Sequence, residues 1–238
     1  MSATAAIVTI GNELTSGDVP NTNASWLAKR LAPLGVETRL LVAIPDELDA
    51  IAETIRAAAA QHDFVLVTGG LGATPDDITR EALAHAFGVP QVEFPELVAD
   101  LTARFRGDPA YVTPWAHLPE GSRPLANPRG GAPGFALENV YVFPGLPAEM
   151  EAMFVAFEDE LRRGSPIAAW RQVYRGLGES RLAPFLVEVG ERWPTILAGS
   201  YPTFGADGPT VEIVLKSSDA EALAAASAWF ASAVEERG

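Results

Sequence analysis

The sequence predicts an α/β protein: a three-layer α/β/α domain built on a mainly parallel sheet, followed by a small α+β domain. Three observations predict it. Short apolar runs of strand length recur through the first half of the chain. Glycine, proline or aspartate stops each run, and a stretch of helical apolar spacing follows. The order strand, helix, strand, helix, strand, helix then requires parallel pairing with right-handed crossovers.

Taken in order, Ala5–Ile10 is a buried strand stopped by Gly11. Ala24–Leu34 has helical spacing through Trp26, Leu27, Leu31 and Leu34, with Gly35 as its stop. Glu37–Ile44 is a second strand, and Asp46 is placed to cap a helix over Glu47–Ala60. Phe64–Thr68 is the clearest strand; the glycines after it break the run, and Asp76 or Asp77 caps a helix over Ile78–Phe87. From Val89 to Phe135 the pattern supports one helix, Pro95–Arg106, and then a Pro- and Gly-rich stretch. Asn139–Phe143 returns to strand and Ala148–Arg162 to helix.

Gly164-Ser165-Pro166 reads as a linker, which divides the chain into residues 1–165 and 166–238. The second part reads β-α-β-β-α, with strands Trp170–Arg175, Thr195–Tyr201 and Thr210–Leu215 and helices Glu179–Val189 and Ala220–Arg237.

Composition limits the function. The 238 residues are 48% hydrophobic and 20% charged, enough apolar material for a core. Cysteine is absent, which removes disulfides, thiolate metal sites and thiol nucleophiles. His62, His85 and His117 are scattered without metal-ligand spacing, and no Gly-x-Ser-x-Gly elbow is present. The start has no signal-peptide pattern and no apolar run reaches membrane-spanning length. The expectation is a soluble, cytoplasmic protein with no membrane partner.

Net charge is −14, and Lys29 and Lys216 are the only lysines. Such a surface repels nucleic acid. The stretch Ser200–Thr210, with Gly205-Ala206-Asp207-Gly208, has no basic residue to clamp a nucleic-acid backbone. The small domain is expected to serve packing. A phosphorylated ligand would need a metal ion, a local arginine or backbone N–H groups to hold it.

Ligands of a parallel sheet collect beyond the carboxyl ends of its strands, and four loops lie there. Thr68-Gly69-Gly70-Leu71-Gly72-Ala73-Thr74-Pro75-Asp76-Asp77 lets backbone approach a ligand closely and offers N–H groups to phosphate. It also reads as a plain strand-to-helix turn; its two adjacent carboxylates exceed what one cap requires, which favours a metal or general-base role. Gly11-Asn12-Glu13-Leu14 and Asn21-Thr22-Asn23 flank the first turn, with Asn23 as a helix cap in the plainer reading. Asp46 follows the second strand. Pro144-Gly145-Leu146-Pro147-Ala148-Glu149 opens a helix as capping and the dipole favour. Gly130–Phe135 is a backbone-approach segment or a tight turn.

Together these motifs, with Ala132-Pro133-Gly134-Phe135, resemble the amino-terminal region of CinA (competence-damage-inducible) proteins, part of the wider molybdopterin-binding MoaB/MogA/gephyrin-type superfamily. Gly176-Leu177-Gly178-Glu179-Ser180 and Gly199-Ser200-Tyr201-Pro202 resemble the CinA middle domain. The resemblance implies a molybdopterin-binding-like fold, with a pterin or nucleotide at the strand carboxyl ends. It implies acidic working residues at Asp46 and Asp77, with Glu13 beside them as a third candidate. Asp46, Asp76 and Asp77 are the candidate ligands of a divalent metal such as Mg2+. Gly11, Asn12, Asn21, Asn23, Thr68, Gly69, Gly70, Gly72, Thr74, Gly134, Gly145, Pro147 and Glu149 are the candidate ligand-binding residues. In the CinA branch the domain is associated with metal-dependent ADP-ribose pyrophosphatase activity. In the adenylyltransferase branch the same loops act on a pterin phosphate. A third reading is a non-catalytic ligand-binding module. The resemblance also implies self-association, since that is common in the family, so the small domain is expected to serve packing or dimerisation and the protein to form a homo-oligomer. The CinA deamidase domain is expected to have no counterpart here. Gly131 stands where the family commonly has Thr, Ala73 where Pro is usual, and Tyr111–His117 lacks the family's Asn and Lys-Gln pattern.

Overall fold

The computed structural model describes residues 3–106, 108–205 and 208–237. Met1, Ser2, Gly107, Ala206, Asp207 and Gly238 lie outside the described residues, so the Gly205-Ala206-Asp207-Gly208 stretch falls partly among them. The chain divides into two compact units, Ala3–Arg163 and the residues from Gly164 on.

The first unit opens with β1 (Ala3–Ile10), a one-turn helix α1 (Asn12–Thr15), α2 (Thr22–Leu31) and β2 (Val36–Ile44). α3 (Leu48–Gln61), β3 (Phe64–Thr68) and α4 (Thr79–Phe87) follow. Next come β4 (Gln91–Glu93), α5 (Pro95–Arg104), α6 (Pro109–Ala116), β5 (His117–Pro119) and β6 (Arg123–Leu125). β7 (Gly134–Leu137), β8 (Val140–Phe143) and α7 (Pro147–Leu161) complete it.

Six strands form one sheet in the order β2-β1-β3-β8-β7-β6. The β2-β1-β3-β8 part is parallel, while β7 pairs antiparallel with both β8 and β6. Strand alternation separates two cores. Ala6, Val8 and Ile10 of β1 pack with Ile51 and Ile55 of α3, Leu83 of α4 and Leu101 of α5. Ala5 and Ile7 pack with Leu27 and Leu31 of α2 and Met153 and Phe154 of α7. The expected three layers follow from these two opposed clusters.

The region from Val89 to Phe135 is more regular than its composition predicts. It holds α6, the β4–β5 pair and the antiparallel extension β6–β7. Pro114 inside α6 and Pro124 inside β6 conceal these elements. Pro124 is tolerated because β6 is the outer strand of the sheet.

The second unit consists of β9 (Ala168–Arg175), α8 (Glu179–Arg192), β10 (Leu197–Gly205), β11 (Gly208–Ser217) and α9 (Ala220–Arg237). Its sheet is antiparallel in the order β10-β11-β9. Val211, Ile213 and Leu215 of β11 pack against Leu182, Phe185 and Val189 of α8 and Phe230 of α9.

Candidate functional site

The carboxyl ends of β1, β2, β3 and β8 converge on one cavity of about 430 Å3. Gly11 and Glu13 line it from the β1 loop, Asp46 from the β2 loop, and Gly69–Gly72 with Asp76 and Asp77 from the β3 loop. Gly145, Leu146 and Glu149 enter from the turn into α7, and Trp115, Gly131 and Ala132 close another side. A smaller adjoining cavity of about 100 Å3 is lined by Asn21, Asn23, Thr68 and Pro147 and shares Glu13 and Gly145 with the first.

Glycine is required at the heart of the β3 loop. Gly69 has φ +114° and Gly70 φ +65°, and a Cβ at Gly69 would overlap the backbone oxygen of Ile10. This close packing carries the loop over the end of β1 and leaves its backbone facing the cavity.

Asp77 shapes the rest of the loop. Its Oδ1 accepts from the Gly72 N–H at 2.7 Å, and its Oδ2 accepts from the Thr74 N–H at 2.8 Å and from the Thr74 hydroxyl. Asp77 is therefore not the cap of α4, nor is Asp76: the N-cap position is Ile78 and has no side-chain cap bond. The amides of Gly72 and Thr74 are also not free for phosphate, contrary to the expectation for this loop. Thr74 acts through Asp77 and does not itself line either cavity.

Asp46 is likewise no helix cap. Its Oδ2 accepts from the Asn12 N–H at 2.8 Å, while α3 begins after Glu47 without a side-chain cap. Burial first, and then the neighbouring charges of Glu13, Asp76 and Asp77, push the Asp46 carboxyl above its ordinary range, against the lowering effect of the Asn12 N–H. Asn12 thus positions Asp46 and does not line either cavity.

The two asparagines also exchange expected roles. Asn21, not Asn23, caps α2 by accepting from the Ala24 N–H at 3.2 Å. Asn23 instead bridges two loops. Its Nδ2 donates to Thr68 Oγ1 at 3.1 Å and to the Gly145 carbonyl at 2.8 Å, while Thr68 Oγ1 donates to the Pro144 carbonyl at 2.7 Å. Gly134 lines neither cavity; it is buried in β7, where a Cβ would overlap the Val142 carbonyl oxygen.

Two residues escaped the sequence reading, Arg80 behind the cavity and Trp115 in its wall. Arg80, only 5% exposed, donates to the carbonyls of Leu71 at 2.8 Å and Gly72 at 2.7 Å. Burial lowers its pKa to about 10, against the raising effect of Asp77, so it remains a cation at neutral pH. Trp115 Nε1 donates to the same Gly72 carbonyl at 3.0 Å. A solitary arginine three residues after Asp77 was the available signal for Arg80; Trp115, in a helix that Pro114 obscures, gave none. Of the histidines, His117 Nδ1 lies 2.7 Å from the Thr113 carbonyl and His85 lies 3.9 Å from Asp49; none lines the site.

Residues 6–163 match the family model described as "Probable molybdopterin binding domain". The chain belongs to the molybdopterin-binding-domain family. Residues 168–238 match the "FAD synthase, middle domain" family, which follows the molybdopterin-binding-like domain here. Within the family, a protein of Archaeoglobus fulgidus is 40% identical over 200 residues, covering 84% of this chain and 86% of its own. A CinA-like protein of Frankia casuarinae is 41% identical over 206 residues, covering 79% of this chain and 48% of its own. The chain therefore spans about half the length of that CinA-like relative. Among solved structures, the CinA protein "with unknown function" of Thermoplasma acidophilum superposes with TM-score 0.64 at 33% identity, over 67% of this chain and 98% of its own. The chain thus joins a molybdopterin-binding domain to an FAD synthase middle domain and has CinA-like relatives.

Proposed function

We propose that this chain hydrolyses the diphosphate anhydride of an ADP-ribose-like nucleotide, with Mg2+ or a similar ion entering on the ligand's phosphates. One observation carries this reading. Glu13, Asp46, Asp76, Asp77 and Glu149 line this cavity, and among the described residues no Lys or Arg does. An anionic ligand enters such a site only with its charge neutralised.

Among the described residues no group of three or more His, Asp or Glu side chains could hold a metal ion by itself. Mg2+ does not need such a cage, because one or two carboxylates together with substrate phosphates suffice. Asp76 is the carboxylate that would hold it together with the ligand's phosphates, since both oxygens of Asp77 are occupied by loop donors and Asp46 already accepts from the Asn12 N–H. When bound, the ion would neutralise charge developing on the phosphate oxygens.

The protein's own part is positioning and proton transfer. The amides of Gly70 and Leu71, which the loop's internal bonds do not use, are the donors offered to a phosphate. Asp46, with its pKa raised, is the group suited to take a proton from the attacking water. Asn12 and Asp77 fix the two loops that face each other across the reacting group.

Calorimetric titration with ADP-ribose, with and without Mg2+, tests the reading. Binding that requires the ion supports it; equal binding in excess chelator, or none under either condition, contradicts it.

A second reading, a pterin-binding or adenylyl-transferring protein, is favoured by the family match and by the Trp115 wall of the cavity, against which a flat ring can pack. Pterin fluorescence in the freshly purified protein, absent after denaturation and desalting, would support it over the first.

A further inference from the structure

Glu149 is held in the cavity in a way that helix capping does not explain. Asn127 is buried, and its amide orientation is fixed at both ends. Its Oδ1 accepts from the Arg129 N–H at 2.9 Å, so its Nδ2 is the donor to the Ala132 carbonyl at 2.9 Å and to Glu149 Oε2 at 2.8 Å. Glu149 must therefore present an acceptor to Asn127, as a carboxylate does.

Gly131 gives the carboxylate its space. A Cβ at position 131 would overlap both carboxylate oxygens of Glu149. The absence of that side chain and the Asn127 clamp together keep an anionic group on the cavity wall, where Gly131, Ala132 and Glu149 meet.

We infer that Glu149 selects the ligand by accepting from a pair of adjacent hydrogen-bond donors, and that Asn127 and Gly131 position it to do so. The inference rests on the proposed reading of this cavity as the ligand site. A carboxylate has acceptors alone, so it repels phosphate and rewards donors. The phosphates therefore lie toward Gly70 and Leu71, and the donor-bearing part of the ligand lies at the start of α7. Two chemistries supply paired donors: the vicinal hydroxyls of a ribose and the ring N–H with exocyclic amine of a pterin.

The test is calorimetry on the whole chain with two probes, ADP-ribose in Mg2+ and 6-carboxypterin, which has no hydroxyl pair. Glu149→Gln keeps the shape and still accepts from Asn127 but turns an N–H2 toward the ligand. It should weaken binding roughly tenfold or more, the value of a hydrogen bond to a charged group. Gly131→Thr, which displaces the Glu149 carboxylate, should weaken the same probe to the same degree, and the double variant should lose little more. Loss confined to ADP-ribose identifies the ribose diol; loss confined to 6-carboxypterin identifies the pterin edge. Unchanged affinity of Glu149→Gln for a probe the wild type binds overturns the inference while leaving the proposed function standing. A wild type that binds neither probe overturns both.

Discussion

Asn12 and Asp46, 34 residues apart, hold each other reciprocally. The Asn12 N–H donates to Asp46 Oδ2 at 2.8 Å, and the Asp46 N–H donates to Asn12 Oδ1 at 3.4 Å. This pairing ties the loop after β1 to the loop after β2 and keeps a half-buried carboxylate facing Glu13, Asp76 and Asp77. A site that binds a cation-escorted anion needs negative charge gathered in this way, at a cost to stability.

That cost has a sign that can be measured. The folded chain binds a proton at Asp46 more tightly than the unfolded chain, because its folded pKa is raised. The stability this group supplies is fully present in acid and is lost as pH rises through the raised pKa. Asp46→Asn, which retains an acceptor for the Asn12 N–H, should raise Tm at pH 7. The gain should shrink toward zero below about pH 4, where ordinary carboxylates protonate. A Tm series across pH on both proteins checks it; a gain independent of pH would contradict it.

Arg80 supports the glycine loop from behind. Arg80→Ala removes the charged donors of the Leu71 and Gly72 carbonyls, although Trp115 still donates to the latter. The expected destabilisation is about 2–3 kcal/mol, and ligand affinity should fall with it. Urea unfolding and calorimetry measure the two effects.

Gly69 allows no side chain. Gly69→Ala places a Cβ against the Ile10 carbonyl at a φ that L-residues avoid. The backbone strain alone is about 1–3 kcal/mol, and Tm should drop by about 5 °C or more. Gly17, with φ +82° but open space around a Cβ, should tolerate Ala with a smaller loss, which thermal scans of both variants will show.

Asn23 differs from an ordinary cap in what replaces it. Asn23→Asp sets a carboxylate oxygen against the Gly145 carbonyl, so it should destabilise more than Asn23→Ala. A capping residue would show the reverse order, since Asp caps well and Ala does not. Chemical denaturation of the two variants separates these outcomes.

The sheet was legible where one residue type decides one state. Phe64–Val67 is apolar throughout because both faces of β3 are covered, and Gly35 ends its helix in a left-handed turn. The glycine and carboxylate loops were legible as a set because parallel topology brings strand ends together. Their internal wiring was not. An aspartate before a helix reads as a cap, yet Asp46 and Asp77 spend their oxygens on distant or neighbouring loop amides, which only the tertiary structure supplies. Asn21 and Asn23 are two residues apart and chemically identical, so nothing local distinguishes the cap from the bridge. β6 and β7 were hidden by Pro124 and by the glycines before β7.

The central claim is turnover at this cavity. Purified protein is incubated with ADP-ribose and Mg2+, beside Asp46→Asn, and the products are separated by chromatography. The account predicts AMP and ribose 5-phosphate from the wild type, no release in excess chelator, and at least a hundredfold slower release from the variant, on the order expected for loss of a general base. Intact ADP-ribose after prolonged incubation with folded wild-type protein and several divalent ions would contradict it.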